Sequence, residues 1–286
     1  MIYSENYQPL AWYDNIERQY HNKYRSFGQM LPIFIPDGRI IPFQIPVPGE
    51  TNQIVSINAV SLGGATQNIT TALSSGGNII LTPADSIGIK NIICLGNNAV
   101  NLDMGIYYLT VVISRPALPN VTLYSEIINV CENVGLLKIN YWDDADRFEL
   151  PKYSFRGFID YQFKFSIWLK GELGKPLYVF EDTIVKRNGV PFPEEIISAK
   201  RYQFELLSGE PFLDGLRLVR CFTYIELVDR EISLKVYNMD MEVEWDEVGY
   251  VAATTIQLDT GNIIRKIGAA RSFAKDFNKD FSNDYF

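Results

Sequence analysis

The stretch YQFKFSIWLKGELGKPLYVF, residues 161–180, decides the fold class. Aromatic and aliphatic side chains alternate with mostly polar ones through residues 161–170. Because successive side chains on a strand point to opposite faces, this period of two predicts a half-buried strand. Gly171 and Gly174 then indicate a turn, and Pro176 begins a second apolar run. We therefore predict a β-hairpin that buries one face.

Composition limits the classes of protein to consider. The 286 residues suffice for two domains, and a hydrophobic content of 47% suffices for buried cores. The net charge of −8 argues against nucleic-acid binding through clustered Lys and Arg. Neither a signal peptide nor a membrane span is expected, because the chain shows no basic-then-apolar start and no apolar run of about 18 residues. Cys94, Cys131 and Cys221 are few and far apart, which predicts free thiols in core positions and folding in a reducing cytoplasm.

Charge divides the chain near Gly135. Residues 40–135 contain 7 charged side chains and residues 136–270 contain 39, so we predict a domain boundary between them. Short β-type runs separated by Gly and Asn clusters predict an immunoglobulin-like β-sandwich in the first region; they span 54–62, 69–73, 79–81, 89–95, 106–113 and 121–130. A surface so poor in charge favours packing against neighbours, and the alternative is an uncrowded domain solvated by Asn, Ser and Thr.

Residues 136–270 are predicted to form a second β-rich domain with one short helix. Strands are expected at 136–142 and 250–258, and the Asn188-Gly189 pair is typical of a tight hairpin turn. Residues 208–220 have helical spacing, with Ser208 as the expected cap and Gly215 as a weakening residue. In the run 231–246 the apolar parity changes at Val236-Tyr237, which predicts a bulge or bend there.

Aromatic segments flank these two domains. In the N-terminal arm, residues 1–39, the aromatic spacing allows a short amphipathic helix, and the prolines at 32, 36, 42, 46 and 48 predict an extended, irregular chain after it. In the C-terminal tail, residues 271–286, an aromatic residue recurs at every fourth position. We expect contacts with other subunits from Trp12, Tyr13, Tyr20, Tyr24, Phe273, Phe277, Phe281 and Tyr285. The alternative is that arm and tail pack on their own domains.

No pattern in the sequence indicates catalysis, so no enzymatic activity, cofactor or metal is expected. Asp143, Asp144 and Asp146 lack the glycine and glutamate that a calcium loop requires, which favours a solvated turn. Glu242 and Glu244 share a strand face, where alternating acids are most simply solvent-exposed rather than a glycosidase pair. His21 is the only histidine, and nothing places a nucleophile beside it.

Several segments resemble one family of proteins across most of residues 10–270. They are WYDNI at 12–16, PFQI at 42–45, YSE at 124–126, LKINYWDD at 137–144, ELGKP at 172–176, VEW at 243–245 and KIG at 266–268. This order resembles uncharacterised structural proteins of tailed bacteriophages and prophages of gut bacteria, including the crAss-like phages. The tail after residue 270 lies outside the resemblance.

The resemblance implies a virion component of the tail or of the neck between portal and tail. Such proteins form rings from β-domains with exchanged arms, so the expected partners are further copies of the chain and neighbouring virion proteins. The chain would be made in the host cytoplasm, without membrane contact or sequence-specific nucleic-acid binding. The alternative is a non-catalytic module that recognises a host surface glycan or protein through exposed loops.

Overall fold

The computed structural model of the protein describes residues 10, 12–14, 31–40, 42–48, 53–74, 79–81, 89–94, 100–115, 118–142, 165–187, 190–247 and 251–266. Strands dominate these residues, which confirms the mainly β fold class. The strands are β1 (Trp12–Tyr13), β2 (Ile33–Pro36), β3 (Phe43–Pro48), β4 (Gln53–Ser61), β5 (Thr66–Asn68), β6 (Ile79–Leu81), β7 (Ile89–Cys94), β8 (Gly105–Arg115), β9 (Leu118–Cys131), β10 (Leu136–Trp142), β11 (Phe165–Lys170), β12 (Leu177–Arg187), β13 (Val190–Ser208), β14 (Tyr224–Asp229), β15 (Ile232–Trp245) and β16 (Ala252–Lys266). The helices in this part of the chain are α1 (Thr70–Ser74) and α2 (Glu210–Val219).

The first region forms the predicted sandwich of two sheets. One sheet has the order β1-β9-β8-β4-β5, with β2 pairing in parallel with β9, and the other has the order β3-β7-β6. Buried side chains from both sheets meet in one core, including Phe43 and Ile45 from the smaller sheet and Ile57, Val111 and Ile128 from the larger. The inward side chains of each strand are thereby removed from water.

The proline-rich segment is more regular than predicted. Instead of an irregular chain it supplies β2 and β3, which pair with β9 and β7. In β3, Pro46 and Pro48 are two positions apart, so their nitrogens face the same side of the strand. β3 is the edge of its sheet among the described strands, which is the position in a sheet where proline is tolerated.

The run 69–73 is not a strand, and that prediction is wrong. Residues 70–73 belong to the short helix α1; Ile69, just before the helix, and Leu73, within it, are both buried in the sandwich core. The backbone N–H of Thr70 donates to Asn68 Oδ1 at 3.0 Å, and Thr70 Oγ1 accepts from the N–H of Ile57 at 2.7 Å. These side-chain bonds favour a turn over a continued strand.

The second region contains a seven-stranded sheet with the order β11-β10-β14-β15-β16-β13-β12. The predicted hairpin of residues 161–180 is therefore wrong, because β11 and β12 lie at opposite edges of this sheet. β11 pairs with β10, and β12 pairs with β13 through the two-residue connection at Asn188-Gly189. The hairpin predicted at that connection is confirmed by the pairing of Arg187 with Val190, although residues 188 and 189 themselves lie outside the described part.

β11 is buried on both faces rather than one. All five residues from Phe165 to Leu169 are buried, including Ser166 and Trp168 of the face predicted to be polar. Phe165, Ile167 and Leu169 belong to the core of the seven-stranded sheet, whereas Trp168 belongs to the sandwich core. The strand thus lies between two cores, which is why its alternation was misleading.

The helix predicted at 208–220 is confirmed as α2, but its cap differs. Ser208 is the last residue of β13, and the N-cap is Gly209, without a side-chain cap hydrogen bond. Leu213, Leu216 and Val219 are buried against the sheet, as their helical spacing predicts.

The change of parity at Val236-Tyr237 is confirmed as a shift in register. Val236 pairs with Thr260, and the next pair is Asn238 with Asp259, so Tyr237 has no partner opposite it. Val236 and Met239 are both buried, which requires the extra residue between them. The bulge therefore allows both apolar runs of β15 to face the same core.

The cysteines are free thiols, and two of the three contribute to the sandwich core. Cys94 is buried, Cys131 is half-buried against that core and Cys221 is exposed, so the prediction of core positions is wrong for Cys221. Cys131 Sγ donates to the carbonyl of Ile35 at 3.7 Å, and burial raises the pKa of the Cys131 thiol. Cys221 lies in the turn that follows α2.

Replacing Tyr141 by phenylalanine is expected to raise the free energy of unfolding by about 1 kcal/mol. The ring is buried between Phe165 and Phe222, at centroid distances of 5.5 and 5.0 Å, and phenylalanine keeps these contacts. The hydroxyl has no hydrogen-bond partner within the described part of the chain, and burial raises the pKa of Tyr141. Denaturant unfolding measures the change. Tyr237→Phe is the control at an exposed tyrosine, and an equal effect of the two changes would contradict the account.

Candidate interaction surfaces

Trp12, the first of the predicted contact residues, packs on its own chain. β1 pairs antiparallel with β9, with Trp12 opposite Ser125. The half-buried indole borders the sandwich core and lies edge-on to Phe43, with the ring centroids 5.0 Å apart. Trp12 therefore fixes the arm to the sandwich of the same chain, in agreement with the alternative stated above for the arm.

Tyr13 adds a polar contact to the same attachment. Its hydroxyl donates to a carboxylate oxygen of Glu126, and its backbone lies opposite Tyr124. Tyr13 is part of a strand, so the amphipathic helix considered for the arm does not begin there. The other predicted residues, Tyr20, Tyr24, Phe273, Phe277, Phe281 and Tyr285, lie outside the described residues, and their contacts with other subunits stay a prediction.

The sandwich and the seven-stranded sheet meet at a packed seam. Leu136 of β10 and Trp168 of β11 are buried in the sandwich core, and Trp168 is only 3% exposed. The ammonium group of Lys170 lies 5.0 Å from the ring centroid of Phe34 in β2, a cation–π contact across the seam. The predicted boundary near Gly135 is therefore a place where side chains of the second region complete the core of the first.

The carboxylates considered for catalysis do not converge on a cleft. Glu242 and Glu244 are exposed on β15, opposite Thr255 and Ala253 of β16. No group of three or more His, Cys, Asp or Glu side chains able to hold a metal ion occurs within the described ranges. Residues 143–146 and His21 lie outside them.

One end of the seven-stranded sheet extends away from its core. This sheet extension consists of β12, residues 190–198 of β13 and residues 261–266 of β16. No side chain described in it is buried, although β13 spans 19 residues, about twice the usual upper length of a strand. Gly261, with φ +64°, lies at the register shift where the extension begins.

The sheet extension exposes large apolar side chains. Phe180 is 68% exposed, Tyr178 64% and Ile184 61%, and Leu177, Val190, Ile263 and Ile264 are also exposed. Phe180 lies opposite Ser198, which is on the same face of β13 as the buried Phe204. The apolar face of the sheet thus continues beyond the region that its own chain covers, a feature typical of interaction surfaces.

An ion pair connects two strands at the base of the sheet extension. Arg201 of β13 donates to both carboxylate oxygens of Asp259 in β16, from Nε at 2.7 Å and Nη2 at 2.9 Å. The amide of Asn238 lies 3.5 Å from Asp259 Oδ2. The Arg201 hydrogen bonds lower the pKa of Asp259, and the same bonds raise the pKa of Arg201.

The sequence does not identify the exposed residues of β12, because the apolar run 177–180 has the composition of a buried strand and follows the glycines that indicate the wrong hairpin. Two signals were present in the sequence. The Asn188-Gly189 turn makes β12 and β13 neighbours, and the run EDTIVKR at 181–187 carries acids at one end and bases at the other. Neither signal alone tells that β12 is an edge strand.

Comparisons with known proteins leave the family open. No family model matches the chain, and no curated protein matches it. A marsupial T cell receptor is among the solved structures that match, at 8% identity over 94% of each chain and a TM-score of 0.21, a value that carries no argument. Among the described helices, neither α1 nor α2 has the length and apolar character needed to cross a bilayer.

Proposed function

We propose that this chain is a structural subunit of a tailed-bacteriophage virion that assembles as a ring in the tail or the head-to-tail neck. The observation that carries the proposal is exposed apolar surface at two separate places. One is the sheet extension, and the other is the end of the sandwich where Leu62, Met104 and Ile106 are exposed and the Leu62 N–H donates to the Ile106 carbonyl. A ring closed by head-to-tail contacts requires two different surfaces on each copy. The segment resemblance supports the same assignment.

Because β1 is attached to its own sandwich, different residues of the arm are proposed to have different roles. Trp12 and Tyr13 hold the arm on its own sandwich. We assign exchange with a neighbouring copy to Tyr20 and Tyr24 and to the aromatic tail after residue 270. These segments add aromatic contact area to the two exposed surfaces, and aromatic residues are enriched at the buried centre of interfaces.

Immunogold labelling of detergent-washed particles tests the proposal. Antibody raised against the whole chain is expected to place gold at the head–tail junction or along the tail. Light scattering of the purified chain, measured in parallel, is expected to show a mass above that of the monomer. Unlabelled washed particles, together with a monomeric chain that binds host glycans, would instead support the binding module.

A further inference from the structure

We propose that the outer edge of β12 pairs antiparallel with β12 of a second copy of this chain, across a two-fold axis at Ile184. The seven-stranded sheets of two copies would then form one continuous sheet. This contact goes beyond the proposed ring and does not rest on it, because a two-fold contact uses the same surface on both copies. Its basis is an open strand edge with a self-complementary charge pattern.

The two edges of the seven-stranded sheet differ. β11, at one edge, has five consecutive buried residues and is covered by the sandwich. β12, at the other edge, pairs only with β13 among the described strands, and none of its side chains from 177 to 186 is buried. The backbone N–H and C=O groups on the outer side of an exposed edge are open to another strand.

The irregularity in the β12–β13 pair lies in β13 and not in the edge strand β12. The register shift in the β12–β13 pair falls between Thr183, which lies opposite Glu195, and Ile184, which lies opposite Pro193. The extra residue, Glu194, is therefore in β13, and β12 keeps an uninterrupted alternation. A bulge in the edge strand itself would have opposed pairing.

Symmetry restricts the register of such a pair. A two-fold axis perpendicular to the sheet keeps each side chain on its own face, and opposed residues of a ladder share a face. Residues that face each other must then differ by an even number of positions, so the axis passes midway between one residue of β12 and the same residue of the second copy. The choice among registers is thereby reduced to the identity of that residue.

The charge pattern of β12 favours Ile184 as the residue at the two-fold axis. With the axis there, Asp182 lies opposite Lys186 of the second copy, and this pairing occurs twice. An axis at Asp182 would oppose two aspartates, and an axis at Thr183 would oppose Asp182 to Ile184. Opposite charges facing each other across two strands contribute roughly 0.2–1 kcal/mol each, and like charges destabilise.

The exposed apolar side chain at the axis completes the contact. Ile184 is 61% exposed and would meet its copy at the centre of the paired segment, between Asp182 and Lys186 on the same face. Such an interface covers only a few residues of each copy, so the dimer is expected to be weak and concentration-dependent.

Sedimentation velocity of the full chain over a concentration series tests the contact. Asp182→Lys and Lys186→Asp each place like charges opposite each other twice, so each is expected to raise the dissociation constant by about tenfold or more. The double variant Asp182→Lys/Lys186→Asp restores opposite charges and is expected to return the constant to near the wild-type value. Glu205→Lys, on an exposed position of β13, is the control and should leave it unchanged.

Two results would overturn the proposal. One is wild-type sedimentation that shows no dependence on concentration. The other is a dissociation constant that stays at the wild-type value in both single variants, or one that stays raised in the double variant. Ile184→Lys provides a second variant at an exposed position; it places two ammonium groups at the axis and should prevent pairing. Circular dichroism of each variant confirms that the fold is retained.

Discussion

Replacing Trp168 by alanine is expected to lower the free energy of unfolding by about 3–5 kcal/mol, the usual cost of emptying a buried tryptophan site. The indole is 3% exposed and lies in the sandwich core, although β11 belongs to the seven-stranded sheet. Its removal leaves a cavity at the seam, which can close only if the sandwich and the seven-stranded sheet shift relative to each other. Denaturant unfolding followed by circular dichroism measures the change.

Trp245→Ala is the matched control. This tryptophan is in the same sheet, at the end of β15, but it is 47% exposed. Its truncation is expected to cost about 1 kcal/mol or less, because nearly half of the residue already contacts water. Equal costs for the two substitutions would contradict the placement of Trp168 between the two cores.

Replacing Asp259 by asparagine is expected to lower the free energy of unfolding by about 1–3 kcal/mol at neutral pH. The substitution removes the charge that accepts two hydrogen bonds from Arg201, and the guanidinium remains partly buried without it. Because the Arg201–Asp259 pair is partly buried, water screens it less than it screens a surface ion pair. Its loss should therefore cost more than the loss of a surface ion pair. Asp240→Asn is the control at an exposed pair with Arg220, where a change below about 0.5 kcal/mol is expected.

The cost of the Asp259→Asn substitution in free energy of unfolding is expected to depend on pH. The pKa of Asp259 is lower in the folded protein than in the unfolded chain, because the carboxylate accepts hydrogen bonds from Arg201. Its stabilisation is therefore fully present above the unfolded value of about 4 and is lost as the pH falls through the lower folded value. The difference between wild type and Asp259→Asn should shrink on acidification below about pH 4. A difference that grows in acid would contradict the ion pair.

Local patterns in the sequence predicted local structure well. The Asn188-Gly189 turn implied its hairpin because a two-residue connection brings the two strands that it joins side by side. The change of parity at Val236-Tyr237 implied its bulge because the side chains on both sides must reach one core. Helix α2 followed from the spacing of Leu213, Leu216 and Val219.

Long-range partners were not predictable from the same patterns. Alternation identified β11 as a strand, but it could not show that the strand has a second core on its other face, where Trp168 is buried. The connection 171–176 resembled a hairpin turn, whereas it links the two edges of the sheet. For the candidate surfaces, the acids and bases of β12 are visible in the sequence, but their role depends on the strand being an open edge.

The most direct test of the virion assignment is the copy number of this chain per purified particle, measured by quantitative mass spectrometry against the major capsid protein. Particles of the encoding phage are washed with salt and detergent before the measurement. We predict a fixed number of several copies per particle that washing does not reduce, as a closed ring requires. Loss of the chain on washing, or its absence from the particles, would contradict the account.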